Sequence, residues 1–522
     1  MSVPSERDED PAAPRGPEGT KRSRGARRSR QILAAAWLVL ASAAPFARGL
    51  GFEHVYDDHS TVEATPAFAL SFGELLGALA RGDTSIPDVS RPAMVVSAYL
   101  DHTLWGSGPF GPHLSSLLLY VACTFAAAAL AFALVRRRDL AVGAAGLWAA
   151  MPVHAETVVS PSYREDLFAA LGVFAVLALL FWPHRAPGSW REASAVGALA
   201  AVGLAGKESA LVLVPLVAVL ATMPHARLDD ALAWAARREK AFVVLGLVVL
   251  SYLAWRAGLA IHGDGVARAA EGSRGAHDDA RYVIWAASSS LAPFRVMPLH
   301  PVLAPASAAL WVPIALVLAV MVRARRTWLL GPLALLFLGA LGSTPALRPV
   351  NEHADRYLLV TTLGAACLAV IGLDVAARRL APRRVRAGVP IAALTLLLGV
   401  TAAATCGVWA TDLTLFTHAT EQVPTSAKAW RARGWAERRA GLLDEASESL
   451  ARSLALEPDR ADARLSLAYV ALERGEIVEA RAALTRLRDE GHGELPGFPR
   501  AWRCAFDVPR TEAAACVRQE GR

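Results

Sequence analysis

Eleven apolar runs, at roughly 31–49, 114–135, 139–158, 166–183, 193–206, 209–223, 241–260, 305–322, 327–345, 357–377 and 387–410, constrain this chain more than any other feature. A helix needs about 20 apolar residues to cross a bilayer, so most of the runs are long enough and those near 193 and 209 are short. Arginine blocks lie between them: "RRSR" before the first, "RRRD" (136–139), "HRAPGSWR" (184–191), "ARREK" (236–240), "RARR" (323–326) and "RRLAPRRVR" (378–386). With a cytoplasmic N-terminus every block falls on the cytoplasmic side. Eleven spans and an exported C-terminus then satisfy the positive-inside rule throughout. The segment 282–300, "YVIWAASSSLAPFRVMPLH", is broken by Pro293, Arg295 and Pro298 and reads as re-entrant or interfacial. Counting it as a span would put arginine blocks outside.

Composition agrees. Hydrophobic residues make up 54% and charged ones 19%, with a mean hydropathy of +0.34, which excludes an ordinary soluble protein. The net charge of +7 reflects membrane orientation. Nucleic acid is excluded as a partner because no basic face carries interleaved aromatics. Residues 1–30 read as a disordered, basic cytoplasmic tail. The run 31–49 is long for a signal-peptide core and reads as an uncleaved first span. Cys123, Cys367 and Cys406 sit in apolar runs as small hydrophobes. Cys504 and Cys516 lie in the polar tail and can pair if that tail is exported.

This topology exports 50–113, 159–165, 207–208, 261–304, 346–356 and everything after about 411. Asp57, Asp58, Glu156, Arg164, Asp166, Lys207, Glu208, Asp355 and Arg356 then gather at one face, which suggests a polar cavity there. The plain alternative is that charges sit at helix ends because water is there. After residue 411 the character changes. Trp430, Gly434, Ala446, Leu450 and Pro458, then Ala461, Ala468, Ala480 and Leu484, follow tetratricopeptide spacing with a period of 34. Residues 411–425 read as a linker, 426–494 as repeats and 495–522 as a tail.

Several stretches, in order, match a family. "FEHVYDDHSTV" resembles "F-x-x-D-D", and "SRPAMVVSAYLDHTLWGSGPFGPHLSSLLLY" resembles "R-P-L … G-x-x-P-x-G-x-H-L-x-N". "MPVHAETVVSPSYREDLFAAL" is similar to "H-P-x-H-x-E-A-V-x-x-x-x-x-R-x-D-L", "GLAGKESA" to "L-x-S-K-E" and "DRYLLVTTLG" to "E-R-Y-L-Y-L-P-S-L-G". Across about residues 31–490 the chain resembles the transmembrane-and-tetratricopeptide-repeat O-mannosyltransferases, GT-C-class glycosyltransferases that use polyprenyl-phosphate sugars. His113 keeps the family histidine. Ser116 stands where Asn is usual, Met151 replaces the His before Pro152, and Thr361-Thr362 replace Pro-Ser. These departures bear on donor and acceptor identity more than on reaction class.

The resemblance implies an all-α polytopic fold: a GT-C bundle of about 11 transmembrane helices over 31–410, followed by an α-solenoid. It implies inverting transfer of a hexose, with mannose the candidate, from a polyprenyl-phosphate carrier to a hydroxyl of an exported protein. The site would face outward from a bacterial cytoplasmic membrane, and no cofactor is required. Such a transfer needs one carboxylate base. Asp57 is the first choice, with Asp58 orienting the acceptor or supporting it, and the order is open. Arg164, Lys207, Arg356 and Arg91 are the candidates for meeting the leaving phosphate. Glu156, Asp166, Glu208, His113 and Tyr357 would support the cations or bind sugar and acceptor. A metal at His54, Asp57 and His59 is the weaker reading, since the spacing matches no established cage. Other readings are a GT-C enzyme acting on an envelope glycan or lipid, and a non-catalytic scaffold for the repeats. A transporter is disfavoured because the charges gather at one face.

Overall fold

The computed structural model describes residues 17–182, 188–222, 228–262, 276–291, 293, 327–340, 354–380 and 387–519. The expected span at 305–322, the end of the interfacial segment 282–300 and the first 16 residues lie outside them. Among the described residues the chain is helical, without a strand.

Among the described residues five helices are long and apolar enough to cross a membrane: Arg27–Gly51, Phe110–Val135, Glu239–Leu259, Asp355–Arg379 and Gly388–Trp409. The 25-residue stretch Arg27–Gly51, α-helical at about 1.5 Å per residue and 3-10 over its last 8 residues at about 2 Å per residue, extends about 41 Å, beyond the ~30 Å hydrocarbon thickness. Only 11% of the Glu239–Leu259 window is buried, and Leu247 and Leu250 are more than half exposed. Such an apolar surface is unfavourable in water and points to membrane association. Glu208–Thr222 and Leu329–Leu338 are shorter apolar helices.

The bundle opens with α1 (Pro17–Ala43), which tightens into a 3-10 segment to Gly51. The loop after it carries α2 (Phe72–Arg81) and α3 (Pro92–Trp105), and α4 (Phe110–Val135) returns through the bundle. Residues 139–158, expected as one span, take another form. Helix α5 (Arg138–Ala149) stops after 12 residues, and the chain continues as turns at Pro152–His154 and Pro161–Tyr163 around α6 (Ala155–Val159). Prolines 152 and 161 are the reason: neither donates an N–H, and Met151 before the first is extended at ψ 129°. The whole stretch 150–163 is buried.

Helix α7 (Arg164–Phe181) packs against α4 and α8 (Trp190–Gly206). At its crossing with α8 a Cβ on Gly172 would lie 2.6 Å from the Gly203 Cα. Only glycine permits that approach, which brings the start of α7 beside Lys207 at the end of α8.

The stretch 411–425, expected as a linker, contains the helix Asp412–Gln422, capped by Thr411. Two antiparallel pairs follow, Ala427–Arg439 with Leu443–Leu456 and Ala461–Arg474 with Ile477–Asp489. Ala446 and Leu450 are buried at the first crossing, where a Cβ on Gly434 would meet the Leu450 Cγ at 2.7 Å. Ala468, Ala480 and Leu484 are buried in the second pair, as the repeat spacing predicts. The tail forms Phe498–Phe506 and Ala513–Gln519, which close the second core and are joined by a Cys504–Cys516 disulfide. A terminal cap of this kind covers the open face of a short repeat array.

Candidate functional site

Asp57 and Asp58 point to different surroundings, and the preceding turn explains why. Tyr56 adopts φ 53°, a left-handed conformation unusual for a bulky residue. Its N–H donates to Asp412 Oδ1 at 2.8 Å and its ring packs edge-on against Phe416, both in the helix Asp412–Gln422. Beyond this turn Asp58 is fully buried. It accepts from the Val55 N–H (3.2 Å), the Ser160 hydroxyl (3.1 Å) and the Ser162 N–H (2.7 Å). With its carboxylate spent on three donors, Asp58 ties the loop to the 150–163 segment. Of the two aspartates expected at the base, Asp57 is the one whose carboxylate is less enclosed.

Asp57 is only half-buried. Its Oδ2 accepts from the Tyr163 hydroxyl at 2.9 Å. Burial raises its pKa above the usual aspartate value, opposed by the Tyr163 hydrogen bond and by the charges of Arg356 and Lys428. Lys428, from the first repeat helix, is held below the usual lysine range by burial, with Asp57 opposing. A carboxylate with raised proton affinity is the better general base near neutrality. His59, by contrast, spends Nδ1 on Glu63 (2.5 Å) and Nε2 on Asp412 (2.8 Å). That leaves it no nitrogen for the metal considered with His54. Among the described residues no group of three or more His, Cys, Asp or Glu is placed to hold a metal ion.

Behind Asp57 runs a buried ionic network drawn from five segments. Arg356 donates from a guanidinium nitrogen and from its backbone N–H to Glu156, and its guanidinium lies 4.1 Å from the Tyr163 ring centroid. Tyr357 stacks beneath both Arg356 and Lys207, at 5.0 and 4.9 Å. Lys207 bridges Glu165 and Asp166, each at 2.7 Å, and Arg356 Nε lies 3.9 Å from Asp166. Arg91 closes the far end on Asp88 and Glu165, each at 2.8 Å. Glu208 has a buried oxygen without a hydrogen-bond partner among the described residues and acts on Arg91 electrostatically. Buried charges persist only when paired in this way.

Arg164 does not join the network. It is 1% exposed and pairs with Asp101 at 2.6 Å. It also donates to the Ser97 and Ser116 hydroxyls (2.9 and 3.1 Å) and to the Pro112 carbonyl (2.8 Å). It braces α3 and α4 against α7, apart from the other cations expected to meet a donor phosphate. Ser116, one of the departures noted in the sequence, is one of its partners. His113 gives Nδ1 to the Pro109 carbonyl at 2.7 Å, and its ring lies 6.2 Å from that of His54.

Sequence reasoning passed over Tyr163, Glu165, Asp101, Asp412 and Lys428. Tyr163 and Glu165 flank Arg164 in "YRED" and are marked only by that adjacency. The others need the fold, since Asp101 lies on α3 and Asp412 and Lys428 on the helices Asp412–Gln422 and Ala427–Arg439.

Between Asp166, Arg356 and Tyr357 the cavity is about 20 Å³, room for one water. A larger groove of about 520 Å³ lies on the repeats, lined by Arg431, Trp435, Arg438, Tyr469 and Arg500 among others. The tetratricopeptide repeat family matches residues 413–496, the helices that carry Asp412's neighbours, Lys428 and this groove. Comparison with curated proteins finds no match for the chain. The protein thus carries a tetratricopeptide-repeat unit docked on a helical bundle apolar enough for a membrane.

Proposed function

We propose that this chain is an inverting integral-membrane glycosyltransferase of about eleven spans. It moves a hexose, with mannose the first candidate, from a polyprenyl-phosphate carrier to a hydroxyl of an exported protein. One observation carries the reading: Asp57 is a half-buried carboxylate of raised proton affinity, one oxygen fixed by the Tyr163 hydroxyl, beside a buried bank of cations.

In the reaction the acceptor hydroxyl lies against Asp57, which takes its proton as the new C1–O bond forms. The C1–O bond to the phosphate breaks on the opposite side of the sugar, and the lipid phosphate leaves with both bonding electrons. Developing charge on that phosphate is met by Arg356 and Lys207, each now neutralised by a carboxylate. The phosphate therefore competes with Glu156 for Arg356 and opens the one-water cavity beneath Tyr357. Arg91 stabilises Glu165 at the rim. The arginine blocks favour the topology that exports Asp57 and the repeats. The Cys504–Cys516 pair suits an oxidising compartment.

The test is transfer of radiolabelled mannose from synthetic polyprenyl-phosphate mannose by the full chain in proteoliposomes, with exported proteins as acceptors. Transfer lost in Asp57→Asn supports the reading. No transfer by the wild type from any polyprenyl-phosphate hexose, or full transfer by the variant, overturns it in favour of a membrane-anchored scaffold.

A further inference from the structure

At the end of the bundle opposite Asp57, helices α1, α4 and α5 leave a trough of about 1120 Å³ that the catalytic reading does not use. On α1 the sequence places Arg27, Arg30, Ala34 and Leu38 three or four residues apart, so one helical stripe runs from charge to hydrocarbon. Facing it, α4 offers Phe125 and Phe132 above an alanine floor, and Trp182 closes the side. Arg138 at the start of α5 completes the charged mouth, its guanidinium 5.6 Å from the Phe132 ring centroid.

The three mouth arginines differ from their neighbours. Arg136 donates to the Phe181 carbonyl, and Arg137 is held by Asp139 and Asp374. Asp139 also lines the trough, but its charge is met by Arg137. Arg27, Arg30 and Arg138 are exposed and make no ion pair among the described residues. From Arg27 to Leu38 the stripe covers about 16 Å at 1.5 Å per residue, close to half the ~30 Å hydrocarbon thickness. Cations at one end and an apolar channel of one leaflet's depth together fit an anionic amphiphile.

We infer that this trough is a binding site for one anionic phospholipid of the leaflet on the α1 N-terminal side. Its phosphate lies among Arg27, Arg30 and Arg138, and an acyl chain runs along the alanine floor between Phe125 and Leu38. The site stands independently of the glycosyltransferase reading. Basic clusters at membrane depth attract acidic headgroups by about fivefold in affinity per charge.

Native mass spectrometry of the full-length protein from mild detergent tests the inference, with phosphatidylglycerol and phosphatidylcholine titrated separately. One phosphatidylglycerol adduct is expected in preference to phosphatidylcholine. It should weaken on the order of 100-fold in the Arg27→Gln/Arg30→Gln/Arg138→Gln variant. Ala128→Trp, which fills the floor and leaves the charges, should abolish it, and serves alone if the triple variant fails to insert. In nanodiscs brominated phosphatidylglycerol should quench a fluorescence component that Trp182→Phe removes. Equal adducts for the two lipids, or an adduct unchanged in the variants, would leave the arginines as topological charges only and overturn the site. Displacement of the adduct by millimolar inorganic phosphate alone would overturn its assignment to a lipid.

Discussion

On the proposed reading, exchanging Asp57 and then Asp58 for asparagine separates a reacting carboxylate from a structural one, although the two are adjacent in sequence. At Asp57 burial raises the pKa, so the folded state binds the proton more tightly than the unfolded chain. Above the unfolded aspartate pKa of about 3.9, ionising it therefore costs stability, increasingly so up to its folded pKa. Asp57→Asn removes that cost, and the amide oxygen can still accept from Tyr163. The variant should melt no lower than wild type at pH 7, and the difference should shrink as pH falls through the folded-state pKa towards the unfolded one. Its turnover should fall by about 10²–10⁴-fold, the usual contribution of a positioned base. Asp58→Asn should behave in the opposite sense. An amide nitrogen cannot accept from the Val55 N–H, so two buried donors face each other, at about 1–3 kcal/mol for each left unpaired. Thermal melts of both variants in detergent, beside single-turnover transfer of labelled sugar, read the two effects. A stable Asp57→Asn that transfers normally would remove Asp57 from the chemistry. An Asp58→Asn protein as stable as wild type would refute its structural assignment.

Further outcomes follow from these contacts and from the proposed topology. Tyr163→Phe removes the hydrogen bond that lowers the Asp57 pKa, so the acid limb of the kcat/KM–pH profile should move to higher pH. Asp412→Asn should loosen the loop after α1, seen as faster hydrogen exchange over residues 53–64. Burial opposes protonation of His59, but hydrogen bonds to Asp412 and Glu63 raise its pKa overall. Its contribution to docking is thus full below about pH 6.5 and lost as pH rises through the raised value; exchange that stays equal across that range would argue against the contact. Cys504→Ser should destabilise the repeat cap by up to about 3 kcal/mol for a loop of this length, read as earlier proteolysis of the tail. A periplasm-dependent reporter fused after residue 420 should be active, and an inactive fusion would overturn the eleven-span topology.

What the sequence made legible was periodic or one-dimensional. Apolar runs marked the five described helices that are long and apolar enough to cross a membrane, and spacing marked Gly434, Ala446 and Leu450 as the first repeat crossing. Side-chain partners were not legible, because they depend on contacts between distant segments. Arg164 and Arg356 look alike in sequence, each beside a tyrosine at the start of an apolar run. The fold gives Arg164 to Asp101 and two serines, whereas Arg356 goes to Glu156 and two aromatic rings. The run 139–158 misled for a related reason. Hydropathy counts Pro152 as tolerable in a span, but here α5 has already stopped at Ala149 and Met151 before the proline is extended.

The aspartate pair shows how far the repeat unit reaches into the site. Two neighbouring carboxylates in an ordinary extended loop would already diverge. Here the divergence is fixed by a left-handed Tyr56, a conformation that costs a bulky residue on the order of 1–3 kcal/mol. The compensating contacts at this turn include two from one helix of the repeat side, the Asp412 hydrogen bond to the Tyr56 N–H and Phe416 against its ring. Asp412 also holds His59, on the other side of the pair. The helix Asp412–Gln422 therefore clamps the turn from both ends, and Lys428 on the next helix sets part of the field at Asp57. A repeat unit that only tethered acceptors would not need to supply these contacts. Its placement makes the geometry of Asp57 depend on repeat docking, so a chain truncated at residue 411 should lose the ordered turn even where the membrane helices remain intact.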